Sequence, residues 1–94
     1  MKKIYKYPIN PGFNGVWIVD IPQEATFLYA GLDPTGQLCM WWEIDPDEEA
    51  TPCTFCIVGT GQEYDPNEWV YLQTVQDGRF MWHLFSSSKD IKEV

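Results

Sequence analysis

The chain has 94 residues, 45% apolar and 16% aromatic, with 14 acidic against 6 basic side chains and a formal charge of −8. That length makes one domain near the lower limit for a self-sufficient core, and the aromatic content excludes a disordered chain. An acidic surface repels phosphate groups, which argues against nucleic acid and anionic membranes as partners.

The N-terminal MKKIYKYPIN has basic residues but lacks the apolar stretch of about 7–15 residues that secretion needs. No window is long and apolar enough to span a bilayer, so a soluble cytosolic protein is expected. Three cysteines, an odd number, imply no disulfide framework. Short β-branched and aromatic runs then alternate with Pro, Gly, Asn and Asp. They predict strands near residues 3–8, 16–21, 26–32, 37–44, 53–59, 69–76 and 79–85. The expected fold is all-β: about seven short, mainly antiparallel strands in a small sandwich or a partly open barrel. Residues 1–86 are read as a single β domain and residues 87–94 as a polar, frayed C-terminal tail.

The first legible hairpin is TFLYAGLDPTGQLCMWWEI, where Asp33-Pro34-Thr35-Gly36 has the residue types of a type I turn. It predicts Phe27, Tyr29, Leu38, Met40, Trp42 and Ile44 on one face, with Leu28, Ala30, Leu32, Cys39 and Trp41 on the other, unless a bulge shifts the register by one. Trp41 and Trp42 therefore point to opposite faces of one strand. One enters the core, and the other meets a second subunit, a ligand or a partner. The acidic loop that follows, Asp45 to Glu49, reads as a guard against edge-to-edge aggregation, with recognition of a basic group as the alternative.

The second hairpin is VYLQTVQDGRFMWHLF, with Asp77-Gly78 as a two-residue loop of the type I′ kind. That loop pairs Val75 with Phe80 and Gln73 with Trp82. It groups Trp69, Tyr71, Val75, Phe80, Trp82 and Leu84 on one face, against Val70, Leu72, Met81, His83 and Phe85 on the other. Both hairpins are apolar front and back, which a short chain cannot cover alone. Self-association into a homo-oligomer or a ligand cavity is the expected remedy.

Motifs for chemistry are weak. Asp45, Asp47 and Glu49 have the spacing of a calcium loop, but Ala50 and Cys56 stand where it needs Gly and Glu. Cys53-Thr54-Phe55-Cys56, with Cys39 and His83, could make a Cys3His zinc site, yet side chains three apart on a strand face opposite ways and no redox βαβ setting is visible. His83 shows no nucleophile or carboxylate placed beside it. Gly59-Thr60-Gly61 resembles the start of a phosphate loop but lacks the rest; it reads as a sharp turn whose N–H groups are free for an anion. No metal, cofactor or catalytic residue is assigned, and the chain is not read as an enzyme.

The order IYKYPI at Ile4 to Ile9, IP at Ile21-Pro22, GQLCMW at Gly36 to Trp41, DP at Asp45-Pro46, VGTGQ at Val58 to Gln62 and HLF at His83 to Phe85 resembles a family of small phage-encoded proteins of unknown function. That family has a TIYKY-like start, a GQPCLWALVDP-like strand, a YGTGHP-like turn and an FHLFE-like end. Here Gln62 replaces a frequent His, and cysteine is richer. The resemblance implies a bacteriophage accessory protein acting in the host cytoplasm. The leading expectation is a non-enzymatic binder that inhibits a host defence component, by sequestering a nucleotide-derived signal or covering a host protein. The alternatives are a virion structural or scaffolding protein and an acidic host-takeover protein that binds a basic host factor. The binding surface is expected at exposed aromatics and the glycine turn: Trp41, Trp69, Trp82, His83, Arg79, Gly59, Thr60, Gly61 and Gln62.

Overall fold

The computed structural model describes residues 1–90. Among them are seven strands and no helix: β1 (Lys3–Pro8), β2 (Val16–Pro22), β3 (Thr26–Leu32), β4 (Leu38–Ile44), β5 (Ala50–Gly59), β6 (Trp69–Asp77) and β7 (Phe80–Ser87). They form two antiparallel sheets, β1-β4-β3 and β2-β5-β7-β6, that do not close into a barrel. The protein is a small all-β sandwich.

Each sheet turns one side chain in two toward its partner, the period of a strand. Met40 and Ile44 from the first sheet meet Phe55, Val75 and Leu84 from the second, all buried in one core. Ile9, Trp17, Ile21 and Ala30 complete it. Burial of each large member contributes about 1.5–3 kcal/mol. Trp17 stacks on Phe55 with ring centroids 5.7 Å apart, and Trp42 meets the same Phe55 edge-on at 5.9 Å, so Phe55 ties the two sheets together.

The β3–β4 hairpin turns as its residues dictate. Gly36 N donates to Asp33 O (2.9 Å), closing the turn, and Gly36 takes a φ of +86°, which a side chain would disfavour. The Asp33 carboxylate accepts from Thr35 N, Thr35 Oγ1, Gln37 N and Lys6 Nζ at 2.6–3.0 Å, so this buried acid fixes the turn and fastens β1 to it.

Two registers differ from the predicted ones. In β3 a bulge falls between Phe27 and Tyr29: Phe27 still opposes Trp42, but Tyr29 opposes Trp41 and Ala30 opposes Met40. Tyr29 thus leaves the predicted core face and Ala30 joins it. At the second hairpin the closing pair is Asp77 with Phe80, so the two loop residues are Gly78 and Arg79. Gly78 alone has positive φ (+59°) there, the signature of a type II′ rather than a type I′ turn. Val75 then pairs with Trp82 and Gln73 with Leu84. A second bulge, between Tyr71 and Gln73, sends Trp69 and Tyr71 to the outer face and Leu72 to the core. The bulges bring Ala30 and Leu72 to the core and leave Tyr29 and Tyr71 exposed on the outer faces.

On the outer face of the second sheet the chain covers Phe85, while Ile18 and Met81 stay exposed. Tyr64, in the β5–β6 loop, lies 4.4 Å from Phe85 (centroids), and Tyr71 meets the same ring at 5.7 Å. Beyond β7, Ser88 N donates to Glu68 O, Ser88 Oγ to Asn67 O, and Asp90 Oδ2 accepts from Thr54 N. Residues 87–90 of the expected tail are thus tied to the fold, and residues 91–94 lie outside the described residues.

Candidate ligand cavity between the sheets

The sandwich is open at the end where β2 crosses to β3. There a cavity of about 630 Å³ enters between the sheets. Ile21 and Pro22 end β2, and Gln23, Glu24 and Ala25 make the crossing; Thr26 and Phe27 begin β3; Trp42 comes from β4; Thr51, Cys53 and Phe55 from β5; Leu72 from β6; Ser86 from β7; Asp90 follows it. The size lies within the range of small-molecule sites, and most of the lining is apolar.

The inner wall is aromatic. Phe27 meets Trp42 edge to face at 5.4 Å, and Trp42 meets Phe55 edge to face at 5.9 Å. Phe55 pairs with Ser86 across the β5–β7 ladder, so the Ser86 side chain shares Phe55's face and points between the sheets. Ser86 is 4% exposed, and its Oγ has no hydrogen-bond partner; Trp42 Nε1 has none either. Native interiors satisfy most such groups, so two orphans on one cavity are a chemical signal. The rim carries the exposed carboxylates of Glu24 and Asp90 and, among the described residues, no Lys or Arg. Glu24 has a φ of 61°, unusual for a residue with a side chain.

The Cys53 thiol faces this cavity. Burial first, and the carboxylate of Asp90 next, push it above the usual thiol range, so it stays protonated. Cys56 lies on the opposite face of β5, beside Phe85, and burial pushes its thiol up to about 11. The two thiols of the C-x-x-C thus face opposite ways, the strand geometry predicted from their spacing. Among the described residues no group of three or more His, Cys, Asp and Glu is placed to hold a metal ion. Asp45 Oδ1 accepts from Asp47 N (3.0 Å) in a local turn of the acidic loop.

None of the nine residues singled out from the sequence lines this cavity. Five of them, Gly59, Thr60, Gly61, Gln62 and His83, meet at a shallower hollow of about 260 Å³ on the outer face of the second sheet, with Val58, Tyr64, Tyr71 and Phe85. Two N–H groups of the glycine turn are engaged within it: Gly59 N donates to Gln62 Oε1 (2.6 Å), and Gln62 N to Gly59 O (3.1 Å). His83 does have an alcohol beside it, with Thr60 Oγ1 3.0 Å from Nε2 and Thr74 Oγ1 2.8 Å from Nδ1. Thr74 Oγ1 is in turn 2.6 Å from Tyr71 OH. The chain ends on the Tyr71 phenol and links the β5–β6 loop through His83 to β6. It acts as a clamp that pins the β5–β6 loop to the sheet.

The other four are dispersed. Trp41 is half-buried on the outer face of the first sheet, between Lys6 and Tyr29 across the ladders, with the Tyr29 ring at 5.8 Å. Trp42, its neighbour, faces the core, so the two indoles part as predicted. Trp69 lies on the outer face of the second sheet, while Trp82 lies on the inner face toward the β6–β7 turn, stacked on Phe80 at 5.9 Å. Arg79 is exposed at the tip of that turn. Sequence reasoning missed Phe27, Phe55, Ser86, Glu24 and Asp90. The one usable signal was the split between Trp41 and Trp42, which marks a core-facing indole.

No curated protein and no solved structure matches the chain. A family model described as Domain of unknown function (DUF7352) matches residues 1–93, nearly the whole length, and the chain belongs to that family.

Proposed function

We propose that the protein is a non-enzymatic binder that sequesters a small, flat, largely apolar molecule in the inter-sheet cavity. The observation that carries this reading is the pairing of an aromatic wall, Phe27, Trp42 and Phe55, with the unpartnered hydroxyl of Ser86 in one cavity that opens at the end of the sandwich. A stacked ring gains roughly 1–3 kcal/mol on such a wall, and a buried polar group without a partner recovers part of its desolvation cost when a ligand supplies one. The lining favours binding over nucleophilic catalysis, since burial and the nearby Asp90 carboxylate keep the Cys53 thiol protonated.

The resemblance to small phage proteins supplies the setting: a bacteriophage accessory protein in the host cytoplasm that blunts a defence by withdrawing a small signal. The expected nucleotide-derived signal narrows accordingly. Rim carboxylates, with no Lys or Arg among the described lining residues, favour a base-like ring over a ligand with several phosphates. The test is to incubate the protein with a small-molecule extract of bacteria, re-purify it, denature it and weigh what is released. Intact ligand, lost in a Leu72→Trp variant that fills the cavity, supports the reading. An empty protein, or equal retention by the filled variant, overturns it, and an altered ligand makes the protein an enzyme.

A second reading is favoured by the outer face of the first sheet, where Ile4 and Tyr29 are exposed beside Trp41. There the protein would contact another copy of itself or cover a host protein. Light scattering at increasing concentration tests the first, and a constant monomer mass excludes it.

A further inference from the structure

We infer that the cavity selects an organic cation, an aromatic or alkylated ammonium-type molecule with one positive charge. This rests on the small-molecule reading above and adds the ligand's charge to it.

The aromatic wall is the first support. Phe27 and Trp42, half-buried and edge to face at 5.4 Å, line the cavity with aromatic surface, and Phe55, buried and stacked on Trp17, backs them. A ring face carries negative potential, so aromatic surface in a cavity favours a cation. An anion gains nothing there.

The second support is the mouth. Glu24 and Asp90 place carboxylates at the exposed rim, on two unconnected segments that the fold brings to the same opening. Asp90 is held by its Oδ2, which accepts from Thr54 N at 2.8 Å, so it does not swing freely into solvent. Glu24 is held in a left-handed backbone conformation, with φ 61°. A residue with a side chain pays for that conformation, and it is kept at the crossing that forms one lip of the mouth. Among the described residues no Lys or Arg lines the cavity to neutralise either acid.

The third support is Ser86. Its hydroxyl is buried, unpartnered and on the cavity side of β7. A polar ligand group that reached it would supply the missing partner, which distinguishes this cavity from a plain gap between sheets. The net charge of −8 further raises the local concentration of cations at the mouth.

The experiment is calorimetric titration of the whole chain with three bicyclic probes of similar size: N-methylquinolinium, 1-methylnaphthalene and naphthalene-1-sulfonate. The cation is expected to bind at least about tenfold more tightly than the neutral probe, and the anion most weakly. In a Glu24→Gln/Asp90→Asn double variant the preference is expected to shrink to about threefold or less while the neutral probe binds as before. Asn and Gln keep the size of the acids, and Asn still accepts from Thr54 N. Equal binding of the neutral and cationic probes, or an undiminished preference in the double variant, overturns the charge inference and leaves the small-molecule reading standing. Cation binding that survives Leu72→Trp would lie on the acidic surface and also overturns it. Failure of all three probes removes the small-molecule reading together with the inference built on it.

Discussion

The side-chain amide of Gln73 on β6 replaces a missing strand for Ala30 on β3: Ala30 N donates to Gln73 Oε1 at 2.8 Å, and Gln73 Nε2 donates to Ala30 O at 2.7 Å. β3 and β6 are edges of different sheets, so one amide joins the sandwich along a side that would otherwise gape. Ala30 is fully buried, and both its backbone groups depend on this partner. Gln73→Leu keeps the volume and strands two buried polar groups. A loss of about 2–4 kcal/mol is expected, which for a domain of this size lowers Tm on the order of 10–20 °C. Gln73→Glu separates the two bonds. Its carboxylate accepts from Ala30 N but repels Ala30 O, and only the protonated acid restores both. That raises the folded pKa above the unfolded value of about 4.3, so the variant is most stable in acid and loses stability as pH rises. Thermal unfolding at several pH values checks both; a Leu variant as stable as the parent would show the clasp to be idle.

Asp33 gives an acid limb to stability. The Lys6 ammonium, hydrogen-bonded at 2.8 Å, holds this carboxyl well below the usual carboxylate range, and the bonds from Thr35 and Gln37 add to it. The folded value lies below the unfolded one, so the stabilisation is present above about pH 4 and is lost as pH falls toward the folded value. Lys6 is shifted up by the same bond, so its share is complete below the ordinary lysine range and fades as pH rises above it. Asp33→Asn is expected to flatten both limbs of a Tm-against-pH curve. Unchanged limbs would mean that the turn is held by its backbone alone.

Ser86 sets stability against binding. Its buried hydroxyl has no partner, a cost of about 1–3 kcal/mol in a folded interior. Ser86→Ala removes that cost with almost no change in shape. The empty protein is expected to gain about 1 kcal/mol by urea unfolding, while any ligand that uses the hydroxyl binds less tightly. A destabilised Ala variant would show that the hydroxyl is satisfied in solution and is not waiting for a ligand.

The strands were legible because β-branched and aromatic runs alternate with Pro, Gly and Asp, although β5 begins at Ala50 with Pro52 inside it, where a break was expected, and β7 runs on to Ser87. Turn chemistry placed Asp33 to Gly36 correctly for the same reason: Asp, Pro and Gly each favour one position of that turn. Faces were less legible. Leu28 and Leu72 look like ordinary strand residues, and nothing in their type marks a bulge, yet each bulge reverses the face of what precedes or follows it. The Asp77-Gly78 pair misled by one step, because a lone glycine fits the first position of a type II′ loop as well as the second of type I′. The candidate cavity was least legible of all. Phe27, Trp42, Phe55 and Ser86 come from four strands in two sheets, and each is an unremarkable core residue until the pairing is known. The glycine turn and His83 do come together, but only because the β5–β6 loop folds back over the sheet, a contact made by Tyr64 on Phe85 that no local pattern announces.

Cys53 offers a built-in reporter of the cavity. Cys39 and Cys56 are buried, whereas Cys53 is half-buried and opens into the cavity. Only the thiolate reacts with an alkylating agent, and burial together with Asp90 raises the Cys53 thiol. Iodoacetamide at pH 8 is therefore expected to label native protein slowly, at Cys53 first, with a rate that climbs about tenfold per pH unit because the thiolate fraction does so below the pKa. Cys56, pushed up to about 11 and closed off, is expected to lag behind even at pH 9. Occupancy of the cavity by a bound molecule shields Cys53 and slows its labelling, while unfolding in urea makes all three thiols equal. Peptide mass mapping of the labelled sites reads each rate separately. Labelling of Cys53 that ignores a bound ligand would place that ligand elsewhere on the protein, and early labelling of Cys56 would mean that the outer face of β5 opens more readily than Tyr64, Tyr71 and Phe85 allow.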